Sequence, residues 1–153
     1  MKVVSGFLWG SCWLLLSGHA QAQGCDANCQ LSQINGYFKA LDQVSRKGSG
    51  VQEIEKLLGQ LHPEVKYIHV EYDAQFDAES WRKAFQRNLA RGAYQNSPQQ
   101  EQRVLKTIFG KNHVAVEYAH GVIQPDGRWQ SESPLLVLFG FTDGKISLVK
   151  ELW

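Results

Sequence analysis

The sequence predicts an α+β fold in which three N-terminal helices pack on one face of a curved, mostly antiparallel sheet. Three observations carry this. Apolar residues recur at helical spacing through the first half of the chain, and the second half changes to a period of two. Glycine-containing turns then divide that second half into consecutive strands. Helices collected first and antiparallel strands last place the helices on one side of the sheet.

The first helix is read from Leu31, Ile34, Tyr37, Phe38, Leu41 and Val44, and it stops at Arg46-Lys47-Gly48. A short second helix carries Val51, Ile54, Leu57, Leu58 and Leu61 on one side, and Pro63 breaks it. Val65 to Tyr72 alternates and is β-branched, so it is a strand. Asp77 is a candidate N-cap for a third helix from about Ala78 to Tyr94, with Trp81, Phe85 and Leu89 on its apolar side. Four strands follow: Arg103 to Phe109, His113 to Ile123, Trp129 to Phe141 and Lys145 to Trp153. Gly110-Lys111-Asn112, Pro125-Asp126-Gly127 and Thr142-Asp143-Gly144 are the turns between them.

The first 22 residues stand apart from this domain. Lys2 precedes an apolar run, Phe7 to Leu16, and Ala20 and Ala22 form A-x-A, the pattern of a cleavable secretory signal. The run is too short to span a bilayer, which takes about 20 apolar residues. Residues 23–30 then form an N-terminal segment with a cysteine pair, and 31–153 the folded domain. The expected location is periplasmic or secreted. In an oxidising compartment Cys25 and Cys29 favour a disulfide. Lipidation at Cys25 is the lesser alternative, because Ala22-Gln23-Gly24 lacks the usual leucine of a lipoprotein box.

The chain holds 16 Lys and Arg against 15 Asp and Glu, and loss of Lys2 makes the mature chain formally neutral. With no basic stripe, nothing favours nucleic acid or an anionic membrane surface. No H-E-x-x-H, phosphate-binding glycine loop or G-x-S-x-G element appears, so no metal or cofactor is expected.

The element order and the closing F-x-x-DGKI-x-x-V-x-x-x-W resemble the nuclear transport factor 2-like superfamily, which includes ketosteroid isomerases and SnoaL-like polyketide cyclases. The resemblance covers Leu31 to Trp153. It implies a cone-shaped roll whose helices close over a bent sheet around an apolar pocket. The fold hosts enzymes, binding proteins and interaction modules alike, so the resemblance is weak for function. In the isomerase branch a catalytic Tyr on the first helix is followed five positions later by Asp. Tyr37 and Asp42 match that spacing, and Tyr37 is the candidate oxyanion donor. The branch's general base falls at His69 here, and a histidine can serve. The acid of the penultimate strand falls at Val137, so the donor pair is incomplete and ketosteroid isomerase activity is not carried over.

Strand alternation supplies a second line. Val114, Val116, Tyr118, His120 and Val122 share one face, and Ser131, Ser133, Leu135, Val137, Phe139 and Phe141 share another. These more apolar sets are the expected inward faces. Tyr118, His120 and Ser133 then face the interior, opposite Tyr37 and His69. The resemblance adds Phe85, Val149 and Trp153 as pocket residues. Packing is the plain alternative for Tyr37, and it is the reading for Trp81 and Trp129. Arg82, Lys83 and Arg87 read as a solvated helix face.

Three functions fit. The leading one is an exported protein binding a small, largely apolar molecule in the cone. The second is a cofactor-free isomerase, dehydratase or cyclase with His69 as base and Tyr37 or His120 as donor. The third is an interaction module working through the outer sheet face, where Leu136 and Leu138 would also fit a homodimer.

Overall fold

The computed structural model describes residues 25–97 and 99–153. The expected signal segment lies outside them. Three helices, α1 (Ala27–Val44), α2 (Val51–Gly59) and α3 (Ala78–Ala90), pack on a seven-stranded mixed sheet. The strands are β1 (Lys66–His69), β2 (Ala74–Asp77), β3 (Gln100–Phe109), β4 (His113–Ile123), β5 (Trp129–Ser131), β6 (Leu135–Thr142) and β7 (Lys145–Glu151). Their order is β2-β1-β7-β6-β4-β3, with β5 also on β4. Among the described residues, only β1 and β7 pair in parallel.

Helix α1 starts four residues before its apolar stripe. Asp26 caps it by accepting from the Cys29 amide at 2.9 Å. Cys25 lies outside the helix and Cys29 inside its first turn, with Cα atoms 5.2 Å apart and sulfur atoms at bonding distance. Asp77 caps α3 as expected, accepting from the Ser80 amide at 2.8 Å. The helix ends at Ala90, short of Tyr94, because the chain turns through Gly92 at φ 72°.

Two strands differ from the sequence reading. The predicted Val65–Tyr72 strand ends at His69 and reverses through Asp73, at φ 45°, into β2. The predicted Trp129–Phe141 strand is two strands, separated at Glu132-Ser133-Pro134, where proline lacks the ladder donor. Tyr118 pairs with Leu135, but Gly121 pairs with Ser131, so the break inserts one extra residue. That residue reverses the side-chain parity. Ser131 therefore shares the outer face of Gly121, and Ser133 is exposed at the rim.

The rest of the alternation holds. Val114, Val116 and Tyr118 on β4, Val137 and Phe139 on β6, and Val149 on β7 turn inward against α1, and all are buried. Tyr37 and Phe38 enter from α1; Tyr37 lies 5.4 Å from the Phe139 ring and Phe38 4.9 Å from that of Tyr118. The outer face leaves Ile108 and Leu136 exposed, at 75% and 44%. Among the described residues, no helix is long and apolar enough to cross a membrane.

Candidate functional site

The centre of the cone is occupied by protein rings. Tyr37 touches Phe38, Phe139 and Trp81, and Trp81 stacks on Phe85 at 5.7 Å. Val137 and Val149 expose no surface. Four of the expected pocket residues, Tyr37, Phe85, Val137 and Val149, are thus packed in the core here. The expected apolar pocket gives way at this level because the bulky aromatic side chains of α1, α3 and the sheet meet there.

The polar chemistry gathers at one end of the sheet, on β1, on its neighbour β7, and on β4 across β6. Glu151, on β7, is 4% exposed. Its Oε2 accepts from the Tyr118 hydroxyl at 2.6 Å and from the Trp153 indole nitrogen at 2.7 Å. The same indole N–H reaches the Tyr118 oxygen at 3.1 Å. Burial raises the pKa of Glu151, and the two donors oppose it. Burial also raises Tyr118, Tyr67 and Tyr37, each pushed further by the Glu151 charge.

His69 is the register partner of Glu151 across the parallel β1–β7 pair. It is 5% exposed, its ring stacked on Tyr72 at 4.3 Å and set edge-on to Trp153 at 4.3 Å. Neither ring nitrogen has a partner among the described residues, and the same holds for the Tyr37 hydroxyl. Burial lowers the His69 pKa, partly offset by the Glu71 charge. Ring contacts run from Tyr37 to Trp81 (6.4 Å), to Tyr67 (4.6 Å) and to His69 (6.5 Å), so other side chains stand between the two candidate catalytic residues.

An open cleft of about 440 Å³ lies beside this cluster. Trp153 and Leu135 supply apolar walls, and His120, Gln100, Glu132 and Ser133 supply polar groups. Burial lowers the His120 pKa, partly offset by Glu132. A smaller, more enclosed cavity of about 90 Å³ adjoins it, sharing Gln100 and His120 and adding Asp42, Ser45, Arg46 and Gln102. Asp42 is buried and accepts from the Gln102 amide at 3.2 Å; burial carries its pKa up to about 6.

The structure thus brings together His69, Tyr118, His120 and Trp153, with Ser133 on the rim. Glu151 was missed although the sequence points to it. With Val149 and Trp153 read as inward, alternation puts Glu151 inward as well. Its charge argues for solvent, and burial next to two donors is what overrides that. Among the described residues, no group of three or more His, Cys, Asp or Glu is placed to hold a metal ion.

No protein-family model and no curated protein matches the chain. Solved structures do. A nuclear transport factor 2-like protein of Cytophaga hutchinsonii superposes with TM-score 0.50 at 11% identity, covering 79% of this chain and 86% of its own. TerC, co-crystallised with polyporic acid, gives 0.56 at 15% identity, over 82% and 91%. An LEH-like epoxide hydrolase of M. tuberculosis gives 0.55 at 13% identity, over 81% of each chain. At such identities the likeness concerns the backbone, and the functions on it differ. The chain has the nuclear transport factor 2-like fold, the cystatin-like cone of helices on a bent sheet.

Proposed function

We propose that this is an exported small-molecule-binding protein whose site is the cleft at the open end of the sheet. The observation that carries it is the convergence of Trp153, Leu135, His120 and Ser133 on one cleft of about 440 Å³. Apolar walls with a few polar groups are the usual make-up of a ligand site. TerC, of the same fold, was crystallised with polyporic acid, a small molecule. Export rests on the signal-like first 22 residues. A homodimer through the outer sheet face would cover the exposed Ile108 and Leu136. Naphthalene followed by amide and indole NMR should shift Leu135, His120 and the Trp153 N–H together. Trp153→Ala should weaken it at least tenfold. Shifts confined to other surfaces would overturn the assignment.

A second reading, a cofactor-free isomerase, dehydratase or cyclase, is favoured by one observation: His69 is buried and unpartnered at both nitrogens among the described residues. It would take a proton from a carbon beside a carbonyl, with His120, which like His69 contacts the Trp153 ring, or Tyr37 as the donor. The protein should then accelerate deuterium exchange at the α-carbons of 2-tetralone in heavy water. His69→Ala should remove roughly 100-fold of that rate, the usual contribution of a general base. Exchange no faster than in buffer sinks the enzyme reading and leaves the binding one standing.

A further inference from the structure

The small cavity beside the cleft differs from it in chemistry. Its lining comes from the last turn of α1 (Asp42) and the chain just after it (Ser45, Arg46), from the start of β3 (Gln100, Gln102) and from His120 on β4. It meets the cleft through Gln100 and His120, which line both. At about 90 Å³ it has room for a group of a few heavy atoms, since liquid water takes about 30 Å³ per molecule.

Two lining groups have bonding capacity to spare. Asp42 accepts one bond, at Oδ2 from the Gln102 amide. Its other oxygen takes none among the described residues. Arg46 has a buried Nε that finds no acceptor among them. The two residues are one helical turn apart, and no ion pair joins them in the structure. An acceptor and a donor therefore both face demands that protein groups leave unmet.

We propose that this cavity is the head-group end of the same binding site, and that the ligand is a neutral amphipath. Its apolar ring body lies in the cleft against Trp153 and Leu135. Its head, a neutral group that both donates and accepts a hydrogen bond, sits at Asp42 and Arg46. A hydroxyl or carboxamide satisfies both at once. An anion is opposed by Asp42 and a cation by Arg46, so a charged head gains one partner and meets one repulsion. The inference rests on the cleft being the binding site.

Its test compares naphthalene, 2-naphthol and 2-naphthoate on the same protein, by NMR titration. 2-Naphthol should bind at least tenfold tighter than naphthalene, and 2-naphthoate more weakly than 2-naphthol. Asp42→Ala removes the acceptor and Ser45→Leu fills the cavity from the helix end. Either should bring the naphthol-to-naphthalene ratio close to one, and the second variant serves if the first fails to fold. Equal affinity for naphthol and naphthalene in the unmodified protein overturns the head-group proposal alone, as does a preference that survives both variants. Failure of both compounds to bind in the cleft overturns the cleft assignment, and the proposal falls with it.

Discussion

Glu151→Gln should raise the midpoint of thermal unfolding at pH 7, and Glu151→Leu should lower it sharply. Gln keeps an oxygen where Oε2 accepts from Tyr118 and Trp153. It also removes the proton equilibrium. The folded pKa of Glu151 lies above its unfolded value of about 4.3, because burial outweighs the two donors. A group of this kind contributes its full stability below the unfolded pKa and loses it as pH rises through the folded one. The two proteins should therefore match near pH 4, and the variant should pull ahead as pH climbs. The gain reads out in the unfolding midpoint, at roughly 3–5 °C per kcal/mol in a domain of this size. Leu leaves the Tyr118 O–H without an acceptor, and the Trp153 N–H keeps only the Tyr118 oxygen at 3.1 Å. At about 1–3 kcal/mol for a stranded donor, the loss should be of that order. Melting curves from pH 4 to 8 decide the matter. A Gln variant less stable than the parent at pH 7 would show that Glu151 is ionised in place.

Gly121→Ala should cost about 2–3 kcal/mol, in the range of overpacked cores, although the change adds one methyl group. Gly121 sits in β4 opposite Ser131, under the Trp129 indole. A Cβ there would clash with Nε1 and Cε2 of that ring and stand 2.7 Å from the Gln130 carbonyl oxygen. The ring cannot retreat freely. Its Nε1 donates to the Glu101 carbonyl at 3.2 Å, and the Arg103 guanidinium covers it at 4.8 Å. The Gln130 oxygen is backbone, so relief there means opening the β4–β5 pair. Trp129→Ala in the same chain should recover only the ring's share of the loss, which a double-mutant cycle on melting data would isolate. An unchanged melting temperature for Gly121→Ala would refute this packing.

The helices and the long strands were legible because their periods are long enough to show. Three helical stripes and the His113–Ile123 alternation needed no tertiary information. The four-residue β2 was invisible for the opposite reason: Ala74–Asp77 is too short to display alternation, between the Asp73 turn and the Asp77 cap. Ser131 was assigned to the wrong face because alternation runs on through a bulge that only the pairing register reveals. The site divides similarly. His69, His120 and Trp153 are brought to one end of the sheet, where strand parity and the family resemblance pointed. Glu151 was hidden by its charge, and the Asp42 cavity by distance, since the Asp42–Gln102 contact joins residues 60 apart in the chain.

The parallel seam between β1 and β7 also bears on how the site comes into being. Lys66 pairs with Leu148 and His69 with Glu151, joining segments separated by about two-thirds of the domain. Contacts of such sequence separation form late, because a long loop must close before they stabilise anything. The β3, β4, β6 and β7 strands can assemble as neighbours in order, yet His69 stays apart from Trp153 and Glu151 until β1 docks. A chain caught partway through folding would carry most of its sheet while His69 still stood apart from Trp153, so the contact between those two rings would report completed folding more faithfully than secondary structure does.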